Sequence, residues 1–143
     1  YLLFTPYQRD KVLVNGATTY NVAVNAVMSG CSPQMMPLCI AITEAMGNNE
    51  IVNSLKSSQA ITPYAWVNGP IGRQLGIDFS QGMISDVKNK ALARFINLAL
   101  LNIVGININS NDRAFGSIEP YVFAENEEAC LEVKWNPYHV DLG

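Results

Sequence analysis

The chain has 143 residues, enough to bury one core, yet only 15% of them are charged, against the usual ~25% for a soluble domain. A net charge of −3 excludes DNA or RNA as the main partner, because phosphate binding needs a basic face. No apolar run reaches the ~18 residues that a membrane-spanning helix needs.

So lightly charged a surface points to cover by another domain or subunit. The chain opens on Tyr1 with no visible signal peptide, which suggests a part of something longer. Three cysteines leave room for one disulfide and one free thiol, but they resemble no disulfide framework, and a reducing, cytoplasmic setting is the default expectation.

"YLLFTPYQRDKVLVNGA" reads as loop and short irregular structure. Thr18 or Thr19 then caps a helix running to about Ser29 and filled by Val22, Val24, Ala26 and Val27. Its β-branched residues leave a strand over "YNVAVNAV" as a rival. Ser32 and Pro33 open a second helix, because a hydroxyl N-cap followed by proline suits the first turn. Met35, Met36, Cys39, Ile40, Ile42 and Ala45 follow at buried-helix spacing, and Gly47 is a natural stop. "NNEIVNSLK" reads as a short polar helix.

A strand from Tyr64 to Val67 leads into a tight turn at Asn68-Gly69-Pro70, then a short helix or turn ended by Gly76. "DFSQGMISD" is a loop. Ser85 or Asp86 caps the longest helix, about Val87 to Val104. Its apolar positions, including Leu92, Phe95, Ile96 and Ala99, are wide enough for burial on most sides. "NINSNDRAFGS" is a polar loop. "EPYVFAEN" is a strand entering an acidic turn, Glu125 to Glu128. Cys130 alternates into a following strand, and "WNPYHVDLG" closes the chain as an ordered loop. These elements predict an α/β or α+β fold, with residues 1–143 as one helix-rich domain. Its small sheet comes from residues near 64–67 and 120–125.

Four features could carry chemistry. Cys31 precedes an expected helix N-terminus, where unpaired N–H groups favour a thiolate; its bland reading is a small apolar corner residue. Cys39 and Cys130 read as core, and the three cysteine spacings match no zinc pattern. His139, the only histidine, could act as a base or a ligand, or could simply be a structural donor. The "VNGPIGR" turn offers N–H groups with Arg73 beside them, a corner for an anion. It lacks the residues of a phosphate loop, and the alternative is that Arg73 pairs with an acid such as Asp78. Ser85-Asp86-Val87-Lys88 formally matches S-x-x-K, but Ser85 is better explained as a cap. Glu125, Glu127 and Glu128 could bind a cation or orient His139; a solvated turn is the plainer reading.

"NVAVNAVMSGC", "VNGPIGRQLGI" and "FAENEEACLEVKWNPYHVDLG" occur in the same order as similar segments in the C-terminal domain of the UGSC family of (seleno)proteins. The resemblance covers roughly residues 10 to 143. It implies a thiol- or redox-dependent enzyme of undefined reaction. The selenocysteine/cysteine motif that names the family lies in a separate N-terminal domain and is absent here. The site would then be completed by another domain or subunit.

On the matching positions, Asn25, Gly30, Cys31, Asn68, Gly69, Pro70, Glu125, Asn126, Glu127, Glu128 and His139 carry over. "DFSQGMISD" is poorer in glycine than the family's segment, and "CLEVKW" replaces a shorter acidic connection, so the substrate does not carry over. The reading is of catalytic Cys31, His139 and Glu125, with Asn25, Asn68, Gly69 and Arg73 holding a small-molecule substrate. No metal is assigned, the cofactor is unknown, and an oligomer or partner domain is expected. The rival is a non-catalytic assembly subunit. An enzyme should bring Cys31, the Asn68–Arg73 turn and His139 toward one cleft.

Overall fold

The computed structural model describes residues 2–4, 17–47, 54–55, 61–106 and 119–141. Thr18 begins the first helix, its hydroxyl accepting the Asn21 N–H at 3.1 Å. Helix α1 (Thr19–Ser29) ends at Gly30, which takes the left-handed conformation at φ 86°. The Gly30 N–H reaches Val27 O at 3.0 Å and the Cys31 N–H reaches Ala26 O at 2.9 Å, so the last carbonyls are satisfied. Caps at both ends, and Val22 and Ala26 in the core, override the strand preference of the β-branched residues.

The second helix differs from expectation at its start. Ser32 is extended, but its hydroxyl makes no cap bond. A 3₁₀ turn over Pro33–Met35 intervenes, and α2 runs Met36–Met46. Gly47 ends it at φ −69°, in right-handed conformation. Most of the polar helix expected over 48–56 lies outside the described residues; Ser54 and Leu55 are helical, and Leu55 is buried.

Strands β3 (Tyr64–Val67) and β4 (Tyr121–Ala124) pair in parallel, Tyr64 opposite Tyr121 and Val67 opposite Ala124. This is the small sheet the sequence predicts. A second, antiparallel pair, β1 (Leu2–Phe4) with β2 (Ala17–Thr18), falls in the segment read as irregular. Parallel strands need a crossover. Here it includes α3 (Pro70–Leu75) and α4 (Val87–Ala99). Asp86 caps α4, its Oδ1 accepting the Lys88 and Asn89 N–H groups at 2.8 and 3.0 Å. The helix then widens into a π-helical turn, Leu100–Val104, stopped by Gly105. Residues 107–118, read as a loop, lie outside the described residues.

Helix α4 is the hub. It packs on α1, α2 and β4. Leu92, Phe95, Ile96 and Ala99 meet Val22, Cys39, Val122 and Ile103 in one buried cluster. Each large side chain so buried contributes about 1.5–3 kcal/mol. The fold is α+β, helix-rich, around a small sheet with this long helix at its centre.

The acidic turn is also a helix. Asn126 Oδ1 accepts the Ala129 N–H at 3.2 Å, and α5 covers Glu127–Glu132. Two glutamates in its first turn suit the positive end of the helix dipole. Cys130 is therefore helical rather than in a strand. The closing segment forms a helical turn, α6 (Tyr138–Asp141), in place of the ordered loop.

Candidate functional site

The structure gathers the candidate residues into two places. The first lies at the carboxyl ends of β3 and β4, where open α/β sheets commonly hold their ligands. Asn68 Nδ2 donates to Glu125 Oε2 at 2.6 Å, and the Gly69 N–H donates to Glu127 Oε1 at 2.6 Å. Arg73 lies 3.4 Å from Glu127 and 3.3 Å from Glu128. Glu125 also accepts the Tyr138 N–H at 3.1 Å and faces the Cys130 thiol at 3.8 Å.

Asn68, Gly69, Arg73 and Glu125 thus come together without Cys31, and the donors of the turn are turned on the chain's own carboxylates. A cavity of only about 60 Å³ remains among Gly69, Arg73, Phe79 and Glu125–Glu128. Arg73 pairs with Glu127 and Glu128 rather than Asp78. Asp78 instead accepts the Ser80 N–H and hydroxyl at 2.9 Å each, which hold its carboxyl below the usual range. The cluster ties β3, α3, β4, α5 and α6 to one another. Lys88 Nζ donates to Leu75 O at 2.6 Å, so the S-x-x-K match is a joint between α3 and α4.

The second place is the junction of α1 and α2. Cys31 is 9% exposed and Cys39 wholly buried, and a hydrogen bond between the two thiols bears on the ionisation of both. That hydrogen bond, with the charge of Arg94 beside it, holds the Cys31 thiol below its ordinary value against the opposing effect of burial. The same bond and burial push Cys39 up. Burial and the Glu125 carboxylate raise Cys130.

The helix-end account of Cys31 is thereby corrected. A 3₁₀ turn separates it from α2, and the charge beside it comes from α4. Arg94 Nε donates to Ser29 O at 3.1 Å, closing the carboxyl end of α1, where a cation is favoured. A side chain on Gly30 would meet the Arg94 guanidinium at 3.5 Å.

Arg94 also borders a cavity of about 340 Å³ lined by Lys90, Asn89, Glu119, Tyr121 and Val122 among others. Lys90 and Arg94 are four apart on α4 and so share a face. That spacing is present in the sequence, interleaved with the apolar stripe of the same helix.

Asn25 is buried. Its Nδ2 donates to Asn21 O at 2.8 Å, and its Oδ1 accepts Asn102 Nδ2 at 2.7 Å from the π-helical turn. It therefore locks α1 to the end of α4. Neither Asn25 nor Cys31 lines the cavity at the Asn68 turn. The backbone of His139 sits in α6, and its side chain lies outside the described residues. Among the described residues, no three His, Cys, Asp or Glu side chains are placed to hold a metal ion, and no helix is long and apolar enough to cross a membrane.

The face of the sheet turned from α4 is aromatic. Tyr64 stacks on Tyr121 at 5.4 Å between ring centres, and Trp66 meets Phe123 at 5.5 Å and Tyr138 at 6.4 Å. Tyr64 and Trp66 are each 58% exposed, an unusual state for a parallel sheet, which is normally covered on both faces. No family model, curated protein or solved structure matches the chain.

Proposed function

We propose that this chain is one domain of a thiol-dependent enzyme acting on a small molecule, with Cys31 as its nucleophile and a partner domain or subunit completing the site. The observation that carries this reading is the setting of Cys31: it follows the carboxyl end of α1, which the Arg94 guanidinium closes at Ser29 O, and its thiol is held low by the Cys39 thiol and by that charge. A thiolate is the reactive form of cysteine.

The same Arg94 borders the 340 Å³ cavity beside Lys90, which favours a substrate with an anionic group. Little of Cys31 is exposed, so its final environment is completed by the partner. Anionic iodoacetate against neutral iodoacetamide tests this. Relative to free cysteine, Cys31 should favour iodoacetate several-fold, and Lys90→Gln should reduce the preference. A preference no greater than that of free cysteine contradicts an anionic substrate. Failure of Cys31 to react at all contradicts the nucleophile.

A non-catalytic assembly subunit is the second reading. The open aromatic face of the sheet favours it, as does the division of Cys31 and the Asn68 turn between two places. On that reading all three cysteines would react as ordinary buried or half-buried thiols.

A further inference from the structure

The cavity beside Lys90 and Arg94 lies along the outer edge of β4, and the register of the sheet decides which backbone groups face it. The Glu125 N–H donates to Val67 O at 3.0 Å, and Val67 stands opposite Ala124. In a parallel pair every second residue turns its N–H and C=O to the neighbouring strand. Tyr121, Phe123 and Glu125 therefore face β3, while Val122 and Ala124 face away from it. The Ala124 N–H indeed runs outward, to Asp78 O at 3.3 Å. Two residues earlier, the Val122 N–H points the same way and meets no partner among the described residues. Val122 is only 3% exposed and lines the cavity of about 340 Å³. A buried N–H is rarely left without an acceptor.

The charges of the same wall are unbalanced. Lys90 and Arg94 line it one turn apart on α4, and neither has an acidic partner among the described residues. The bond from Arg94 Nε to Ser29 O, at 3.1 Å, holds that side chain in place and leaves its terminal nitrogens to the solvent side. Glu119 also lines the cavity, but its Oε2 accepts Asn97 Nδ2 at 3.4 Å rather than meeting either cation. Two cations against one carboxylate leave one positive charge in excess. Met83, Ile84, Ala93 and Pro120 supply apolar walls.

We infer that this cavity holds a small monocarboxylate with an apolar body, its carboxylate accepting the Val122 N–H and facing Lys90 and Arg94. The inference rests on the reading that the substrate is anionic, and adds its class, its charge and the backbone donor that receives it. One excess positive charge matches a single carboxylate better than a dianion. The volume lies near the lower end of small-molecule sites, ~300–1,000 Å³, which suits a compact acid rather than a nucleotide. Cys31 does not line the cavity, so the binding can be read without thiol chemistry.

The test titrates the isotope-labelled full chain with isovalerate and follows the backbone amide signals by NMR. The Val122 amide should shift saturably with isovalerate and stay in place with isovaleramide, its neutral counterpart. Lys90→Gln should weaken the binding several-fold, and Lys134→Gln, at an exposed lysine outside the cavity, should leave it unchanged. Inorganic phosphate should bind more weakly than isovalerate. Equal shifts with the amide, tighter binding of phosphate, or no saturable shift at Val122 would each overturn the inference. A parallel measurement separates it from the proposed chemistry: saturating isovalerate should slow the alkylation of Cys31 by iodoacetate. Slowing without a shift at Val122 overturns the monocarboxylate site while the anionic-substrate reading stands. A shift at Val122 with Cys31 alkylated as before keeps the site and removes Cys31 as the nucleophile that serves it.

Discussion

The thiol junction and the carboxyl ends of the strands treat charge in opposite ways. At the ends of β3 and β4, Arg73 is 59% exposed and shares two glutamates; such pairs are screened and contribute ~0–1 kcal/mol. At the α1–α2 junction, one exposed guanidinium, Arg94, stands beside one nearly buried sulfur, Cys31. Both cations face solvent, and what differs is the group each acts on: a charge bears more on a thiol shut away from water than on a carboxylate left in it. The crowded cluster therefore reads as structure, and the sparse one as chemistry.

The two regions share a support, and removing it should disturb both at once. Phe95 is wholly buried on α4. Phe95→Ala should cost about 3–5 kcal/mol, measured by urea unfolding, with the Cys31 environment and the strand-end ties lost together. A loss confined to one region would break the claim of a common hub.

Each region also has a glycine that others cannot replace freely, and the two should differ in degree. Gly69, at φ 78° and ψ −175°, sits in a region that is essentially reserved for glycine, although open space surrounds it. Gly69→Ala should cost about 1–3 kcal/mol of backbone strain. Gly30 is in the ordinary left-handed region, and Gly30→Ala should cost about 1–2 kcal/mol, its methyl in ordinary contact with Arg94. Urea midpoints measure both. Only Gly30→Ala should alter Cys31 alkylation; an equal effect from Gly69→Ala would blur the two regions into one.

The two arginines give the smallest change in stability and the sharpest contrast in reactivity. Arg73→Met should change stability by less than about 1 kcal/mol and leave Cys31 alkylation as it was. Arg94→Met should slow Cys31 alkylation at neutral pH, because the cation beside the thiol favours its ionised form. Equal alkylation rates in the two variants would remove the electrostatic account of Cys31.

What the sequence disclosed was local. Thr18, Gly30, Gly76 and Asp86 mark element ends because a cap is a bond between near neighbours. The strand at 64–67 and the hub helix follow from apolar spacing. Cys31 stood out for its place beside a helix end, but the groups that tune it are Cys39, one element later, and Arg94, across the fold. No spacing rule connects Arg94 to Ser29 and Cys31. The Asn68 turn was legible as a cluster of N–H donors. Its partners, Glu127 and Glu128, were legible only as an acidic run, and that the two meet depends on the parallel register of β3 and β4. Around Cys130 two local signals compete: "CLEVKW" alternates like a strand, while Asn126 and two glutamates start a helix, and the cap prevails.

The most direct test is the pH dependence of alkylation at each cysteine, resolved by mass spectrometry under limiting iodoacetamide. Alkylation follows the thiolate, so its midpoint marks the thiol pKa. Cys31 is held low by Cys39 and Arg94, so its rate should rise at a pH below that of free cysteine, ~8.5. Cys130, raised by burial and Glu125, should rise above it, and Cys39 should stay unlabelled longest. A Cys31 midpoint at or above that of Cys130 would contradict the account.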